Sequence, residues 1–232
     1  MYSIGIDIEN KNNHFIHCDL ADYSELFGGG SELFKKLDNL PKPDIILASP
    51  PCESWSIASA MLGGNRSWYT QRITTLFGES VAPNPFTIRT KEQAESKNHT
   101  PYKCIWWKSV YNRINGELCA FNTIRIIERY EPTIWVIENP QSSMIWRYLE
   151  QIQDFHGIKN LAYYNAYDDN FTKKPTVFYS NANFSLKKDH IKQNGQYGYI
   201  VSRRYNERSK IPLELIKDIL GQCIKKLDIC TP

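Results

Sequence analysis

Two short segments hold residues whose types and setting suit covalent chemistry. The first is Ser49–Pro50–Pro51–Cys52–Glu53–Ser54–Trp55–Ser56, in which a cysteine follows the apolar run Ile45–Ile46–Leu47–Ala48 and a pair of prolines. Paired prolines fix the backbone, so a thiol on such a turn is presented outward at little entropic cost. Nucleophilic attack needs the thiolate, which a nearby cation or a helix N-terminus favours. A free cysteine is more often a small buried hydrophobe. That is the reading taken for Cys18, Cys104, Cys119, Cys223 and Cys230. The second segment is Ile137–Glu138–Asn139–Pro140. A carboxylate directly after the apolar run TIWVI is costly to desolvate unless it has a partner or a task. In that place it suits binding the amide edge of a nucleobase, or passing a proton. Taken alone, a strand-end glutamate that caps a helix or pairs with an arginine is the commoner case.

The elements that must carry these segments follow from patterning. YSIGIDIE (2–9) is short, β-branched and apolar with an acidic end, and predicts a buried strand; HFIHCDL (14–20) predicts a second, ending at Asp19. A polar amphipathic stretch runs to Leu40, and IILAS then forms a third strand leading into Pro50–Pro51–Cys52. Residues 57–103 have no clear period and predict a long loop or insertion, a kind of segment that is often functional. Residues 104–130 have helical periodicity and end at Tyr130–Glu131–Pro132; TIWVIEN (133–139) is a fourth strand. Tyr163–Ala166 and Thr176–Tyr179 predict further short strands, and Pro212 starts a last helix with Ile216, Leu220, Cys223 and Leu227 on one face. Strands alternating with helices predict an α/β domain with a mostly parallel sheet, whose ligand site lies at the carboxyl ends of the strands. Asp7, Asp19, Cys52 and Glu138 all fall at such ends.

A chain of 232 residues with a net charge of +3 suits one soluble domain, or one with a small appendage. The charge is unevenly spread: residues 171–232 hold 12 Lys/Arg against 5 Asp/Glu, and the remainder holds 16 against 20. A basic C-terminal third suits a polyanion contacted on one side, or a solvated lysine-rich surface. The opening MYSIGIDIEN has no basic n-region and predicts no signal peptide. No run of about 18 apolar residues predicts a spanning helix. The cysteines have neither CxxC pairing nor zinc-ligand spacing, which predicts reduced thiols in the cytoplasm and no metal.

Together, SPPC after one strand and ENP after another resemble the Pro-Cys and Glu-Asn-Val motifs of the DNA cytosine-5 methyltransferases, with proline in place of valine. The order of weaker segments is similar too. GIDIE resembles the acidic strand end that holds the ribose of S-adenosylmethionine, and HCDL the segment that meets its adenine. YNAYDDNFTKKPTVF (164–178) resembles the segment with spaced Gln and Arg residues, and RSKIPLELI (208–216) the final motif and its helix. The resemblance runs from about residue 4 to about residue 228 and is similar in compactness to phage-borne members.

The resemblance implies a Rossmann-like methyltransferase fold and a mechanism. Cys52 would add to C6 of a cytosine flipped out of double-stranded DNA. Glu138 would hydrogen-bond N3 and the exocyclic amine. C5 would take the methyl group of S-adenosylmethionine, and β-elimination would release Cys52. Asp7 would bind the ribose hydroxyls, Ile8 would pack on the adenine, Asp19 would accept from its amine, and Pro50 would line the cofactor. Ser54, Asn139, Lys173, Lys174, Thr176, Arg203 and Arg204 would contact the DNA. The implied layout is a catalytic domain over 1–180 with the insertion at 57–103, a small basic target-recognition segment over 181–208, and a helix over 209–232 that returns to the catalytic domain. Arg66, Trp68, Tyr69, Arg72 and Arg89 of the insertion are candidates to share the recognition, against an ordinary surface excursion.

Three departures keep alternatives open. No Phe-x-Gly-x-Gly segment, the family's first motif and normally a central strand and loop, precedes GIDIE. Lys173, Lys174 and Thr176 stand where Gln and Arg are expected, and Arg208–Ser209–Lys210 where the family has Gly-Asn-Ala. A late start, a second polypeptide that supplies the missing piece, or a homologue that binds DNA or protein without methyl transfer each accommodates them. A methyltransferase acting on RNA is a further alternative.

Overall fold

The computed structural model describes residues 5–7, 15–59, 61–70, 73–75, 78–80, 86–96, 105–189 and 209–230. The chain divides into two compact units that interleave along the sequence. One comprises Met1–Lys42, Pro50–Tyr130 and Ser143–Phe155; the other comprises Pro43–Ser49, Glu131–Ser142 and His156–Pro232. The span 1–180 expected to form a single domain is thus shared between the two.

In the first unit, Gly5–Asp7 (β1) and Phe15–His17 (β2) pair in parallel, with Asp7 opposite His17. The parallel register puts the end of β1 and the residues after β2, Asp19 among them, at one carboxyl edge. Glu32–Leu37 (α1) follows, capped by Ser31, whose hydroxyl accepts from the Phe34 N–H. Asp22 organises that turn. Its carboxylate accepts from the N–H groups of Ser24 at 2.9 Å and Leu33 at 2.9 Å, and from the Ser31 hydroxyl at 2.7 Å. Burial alone would raise the Asp22 pKa, but those donors outweigh it and hold the carboxyl well below the usual range. A depressed folded-state value adds stability that is present above about pH 4 and is lost as the pH falls toward it. Asp22→Asn is therefore expected to cost on the order of 2 kcal/mol at neutral pH. Urea midpoints measured against pH should fall less steeply below about pH 4 for this variant than for wild type.

The long helix Trp106–Tyr130 (α3) buries Gly116, Cys119, Ala120, Thr123, Ile126 and Ile127, spaced three and four apart as one helix face requires. Buried Asn122 donates to the carbonyls of Leu20 at 2.7 Å and Asp22 at 2.8 Å, fixing the helix to the chain that leaves β2. Helix α3 stops at Glu131, whose φ of 41° is left-handed, and at Pro132, which cannot extend a helix.

The predicted loop at 57–103 contains regular structure. Trp68–Thr70 (β4) pairs antiparallel with Phe86–Ile88 (β7), and Ile73–Thr75 (β5) with Gly78–Ser80 (β6). Lys91–Glu95 (α2) follows with a Thr90–Gln93 capping box. The Arg89 guanidinium, 2% exposed, donates to the carbonyls of Asn65, Leu62 and Trp68. Arg89 and the buried Trp68 therefore hold the insertion together from inside; Arg72 lies outside the described residues.

The second unit is a four-stranded sheet in the order Ile45–Ala48 (β3), Ile134–Pro140 (β8), Pro175–Ser180 (β10) and Ile158–Tyr163 (β9). Only β3 and β8 are parallel; β10 runs antiparallel to both of its neighbours. The protein is α/β, but this sheet is mixed, where a mostly parallel one was expected. Strand β9 ends at Tyr163, so the strand predicted over Tyr163–Ala166 is corrected to a 3-10 turn at Tyr164–Ala166. Leu213–Cys230 (α4) packs on the sheet through Leu215, Ile219 and Cys223, with Ile134, Val136, Tyr164 and Phe178 in the same core. Of the predicted face Ile216, Leu220, Cys223 and Leu227, the last two join this core, while Leu215 and Ile219 take the fully buried places in the first turns. Of the basic segment 181–208, only residues 181–189 are described.

Candidate active site

Strand β8 is buried on both faces, as a strand flanked by others in a layered sheet must be. Ile134, Val136 and Glu138 alternate onto the face that meets α4, so the carboxylate ends an apolar row. Glu138 is 7% exposed and is satisfied by two side-chain donors. The Ser49 hydroxyl, one residue beyond β3, donates to Oε2 at 2.6 Å; the Tyr164 hydroxyl donates to Oε1 at 3.3 Å. The parallel register of β3 and β8, with Ala48 opposite Ile137, is what sets Ser49 beside Glu138. Neither donor was assigned a role from the sequence. Ser49 was visible as the first residue of SPPC. Tyr164 was obscured by its misread strand, although a buried tyrosine generally needs a hydroxyl partner.

Around this carboxylate the structure places other predicted contacts. Asn139 is 1% exposed on β8, opposite Val177. The Lys174 ammonium sits 4.7 Å from the centre of the Tyr164 ring, and that of Lys173 4.4 Å from the Tyr163 ring. Lys174 has a left-handed φ of 28°, uncommon for a side-chain-bearing residue. Thr176, a predicted DNA contact, is fully buried and its hydroxyl donates to the Lys174 carbonyl at 3.1 Å.

In the first unit, Cys52 lies on a tight turn whose carbonyl accepts from the N–H groups of Trp55 at 3.1 Å and Ser56 at 2.9 Å. The cysteine is partly exposed. Trp55 is fully buried and anchors the turn: it stacks on Trp68 with centroids 5.0 Å apart and meets Tyr148 at 4.8 Å. The Asn65 amide donates to the carbonyls of Ser54 at 3.0 Å and Ser56 at 3.1 Å, so the insertion also fixes the cysteine turn. Ser54, a predicted DNA contact, is 3% exposed and pressed against α3 at Gly116.

Gly116 shows why a glycine sits inside a long helix. A Cβ there would land in the Ser54 side chain, 2.9 Å from its Cβ and 3.2 Å from the Trp55 indole nitrogen. Gly116→Ala gains about 1 kcal/mol of helix propensity. Against that, it must move the turn that carries Cys52, at a cost of about 1–3 kcal/mol. A lower thermal midpoint together with slower reaction at Cys52 is expected; a midpoint raised by the full propensity gain would show that the turn yields freely.

Of the predicted cofactor residues, Asp19 is exposed and its Oδ1 accepts from the Ala21 N–H at 2.8 Å, while Pro50 is buried. Asp7 ends β1, and its backbone alone is described. Ile8, Arg203 and Arg204 lie outside the described residues. No group of three or more potential metal ligands occurs among the described residues, and no described helix is long and apolar enough to cross a membrane. No protein-family model, no curated protein and no solved structure matches this chain.

Proposed function

We propose that this protein is a DNA cytosine-5 methyltransferase on a Rossmann-like scaffold, with Cys52 as nucleophile and Glu138 as the group that holds the base. The observation that carries the reading is Glu138: a buried carboxylate at the carboxyl end of a strand parallel to β3, gripped by Ser49 and Tyr164. Such a group is costly to keep unless something must be recognised there. The chain passes from Ser49 to Cys52 in three residues, so one segment supplies both a donor to Glu138 and the thiol. The antiparallel strand β10 lies inside this sheet, between β8 and β9, and mixed sheets are common among folds that combine helices and strands.

In this mechanism the Cys52 thiolate adds to C6 of a cytosine and turns C5 into a nucleophile. Glu138 holds the N3 edge and the exocyclic amine while charge develops on the ring. Ser49 and Tyr164 keep the carboxylate in place, so little reorganisation is needed as the bond forms. S-adenosylmethionine, when bound, would supply the methyl group, and Asp7 and Asp19 would hold its adenosine half. Loss of the C5 proton then lets the Cys52–C6 bond break.

The test is covalent trapping. Duplex DNA containing 5-fluorocytosine has no C5 proton to lose, so an active enzyme with S-adenosylmethionine remains bonded to it. A denaturation-resistant protein–DNA band is expected. DNA that binds but never forms this band, across varied sequences, would leave a non-catalytic binding homologue and end the methyltransferase reading.

A further inference from the structure

Within the first unit, a cavity of about 230 Å³ opens beside the cysteine turn. It is lined by Glu53, the residue after Cys52, by Arg66 and Ser67, and by Ile105, Lys108, Ser109 and Asn112. Residues 108, 109 and 112 recur at helical spacing on the first turns of α3, and Ile105 directly precedes the helix. Arg66 and Ser67 come from the turn before β4 that Asn65 fixes by accepting from the N–H groups of Ser67 and Trp68. The lining is therefore built on a clamped turn and a long helix.

The cations are the telling part. Arg113, one turn further along α3, is paired with Glu117 at 2.6 Å. Among the described residues, no ion pair or hydrogen bond engages the side chains of Arg66, Lys108 or Asn112. Arg66 is nevertheless only partly exposed. A half-buried guanidinium beside hydroxyl and amide donors can hold an oxyanion through paired hydrogen bonds. Two cations against one carboxylate leave a surplus positive charge, and the N-terminal end of α3 adds to it. Donors with surplus positive charge that converge from two elements suit a phosphate oxyanion.

We propose that this cavity is a phosphate subsite for a nucleic-acid strand, with Arg66 as its principal ligand and Lys108, Ser67 and Asn112 in support. It would seat a backbone phosphate beside the residue that follows Cys52, and so register the strand on the nucleophile's turn. The proposal rests on the preceding functional reading only for the identity of the polymer as DNA.

The test is duplex binding by fluorescence anisotropy across a range of salt, on the full chain. One phosphate contact changes the logarithmic salt slope by about 0.9, worth roughly eightfold in affinity near 0.1 M salt. Arg66→Gln should lose that much, equally for all sequences, with its slope reduced by about one contact. Glu53→Gln removes the opposing carboxylate and should tighten binding. Affinity and slope unchanged in Arg66→Gln, or a wild type that binds no duplex, overturns the subsite. Inorganic phosphate that binds wild type but not Arg66→Gln, while both bind duplex alike, assigns the cavity to a free anion and also overturns it. The two readings separate cleanly. A slope change without any 5-fluorocytosine adduct removes the methyltransferase and keeps the subsite. An adduct with no slope change does the reverse.

Discussion

Cys52→Ser is expected to abolish covalent trapping on 5-fluorocytosine DNA, lowering methyl transfer by roughly a thousandfold or more. The expectation rests on a contrast among the thiols. Cys119 and Cys223 are buried, and that burial pushes their pKa values up to about 12 and about 11. Burial also raises the pKa of Cys18. All three stay protonated at neutral pH and are poor nucleophiles. Cys52 differs by position: it is partly exposed, on a turn fixed by Trp55, Asn65 and Gly116. A serine keeps the size and the turn but is a far weaker nucleophile near pH 7. Cys119→Ala and Cys223→Ala should keep the adduct once the folded fraction is matched. Trapping that survives Cys52→Ser would move the nucleophile elsewhere and remove the central element of the mechanism.

How much of this was readable beforehand depended on the length of each element. Strands β3 and β8 were legible because buried strands in a layered sheet read as continuous apolar runs, and IILA and TIWVI are such runs. Helix α3 was legible because 25 residues give many turns of period and Pro132 marks its end. The insertion was not, since its strands are three residues each and too short for any periodicity to register. What orders it is Arg89 donating to three carbonyls and Asn65 bridging two turns, and such side chain–backbone bonds leave no pattern in sequence. The direction of β10 was equally hidden. A six-residue apolar strand looks the same run either way, and only its pairing register, Phe178 opposite Glu138, fixes it as antiparallel. The candidate site divides on the same line. Cys52 and Glu138 announce themselves by polar chemistry at the ends of apolar runs. Ser49 and Tyr164 are ordinary residues until the β3–β8 register and the turn after β9 bring their hydroxyls onto one carboxylate.

That shared carboxylate gives the second large effect. Glu138→Ala is expected to lower turnover by about 100- to 1000-fold, the size seen when one preorganised group facing developing charge is removed. Ser49→Ala and Tyr164→Phe each delete one donor and leave the carboxylate itself. A hydrogen bond to a charged group contributes about 1.5–3 kcal/mol, so each should cost about 10- to 100-fold. Tyr164→Phe is the cleaner of the two because it keeps the ring that packs at 5.9 Å on Phe171 and lies beneath the Lys174 ammonium. If these hydroxyls position Glu138, kcat should fall in both variants while the KM for DNA stays near wild type. The double variant should also lose less than the product of the single losses, because both act through one group. Equal losses in kcat and in urea midpoint would instead make the pair a structural satisfier of a buried charge. Turnover unchanged in Glu138→Ala would remove the carboxylate from the chemistry altogether, and with it the reason for holding a buried acid at the end of β8.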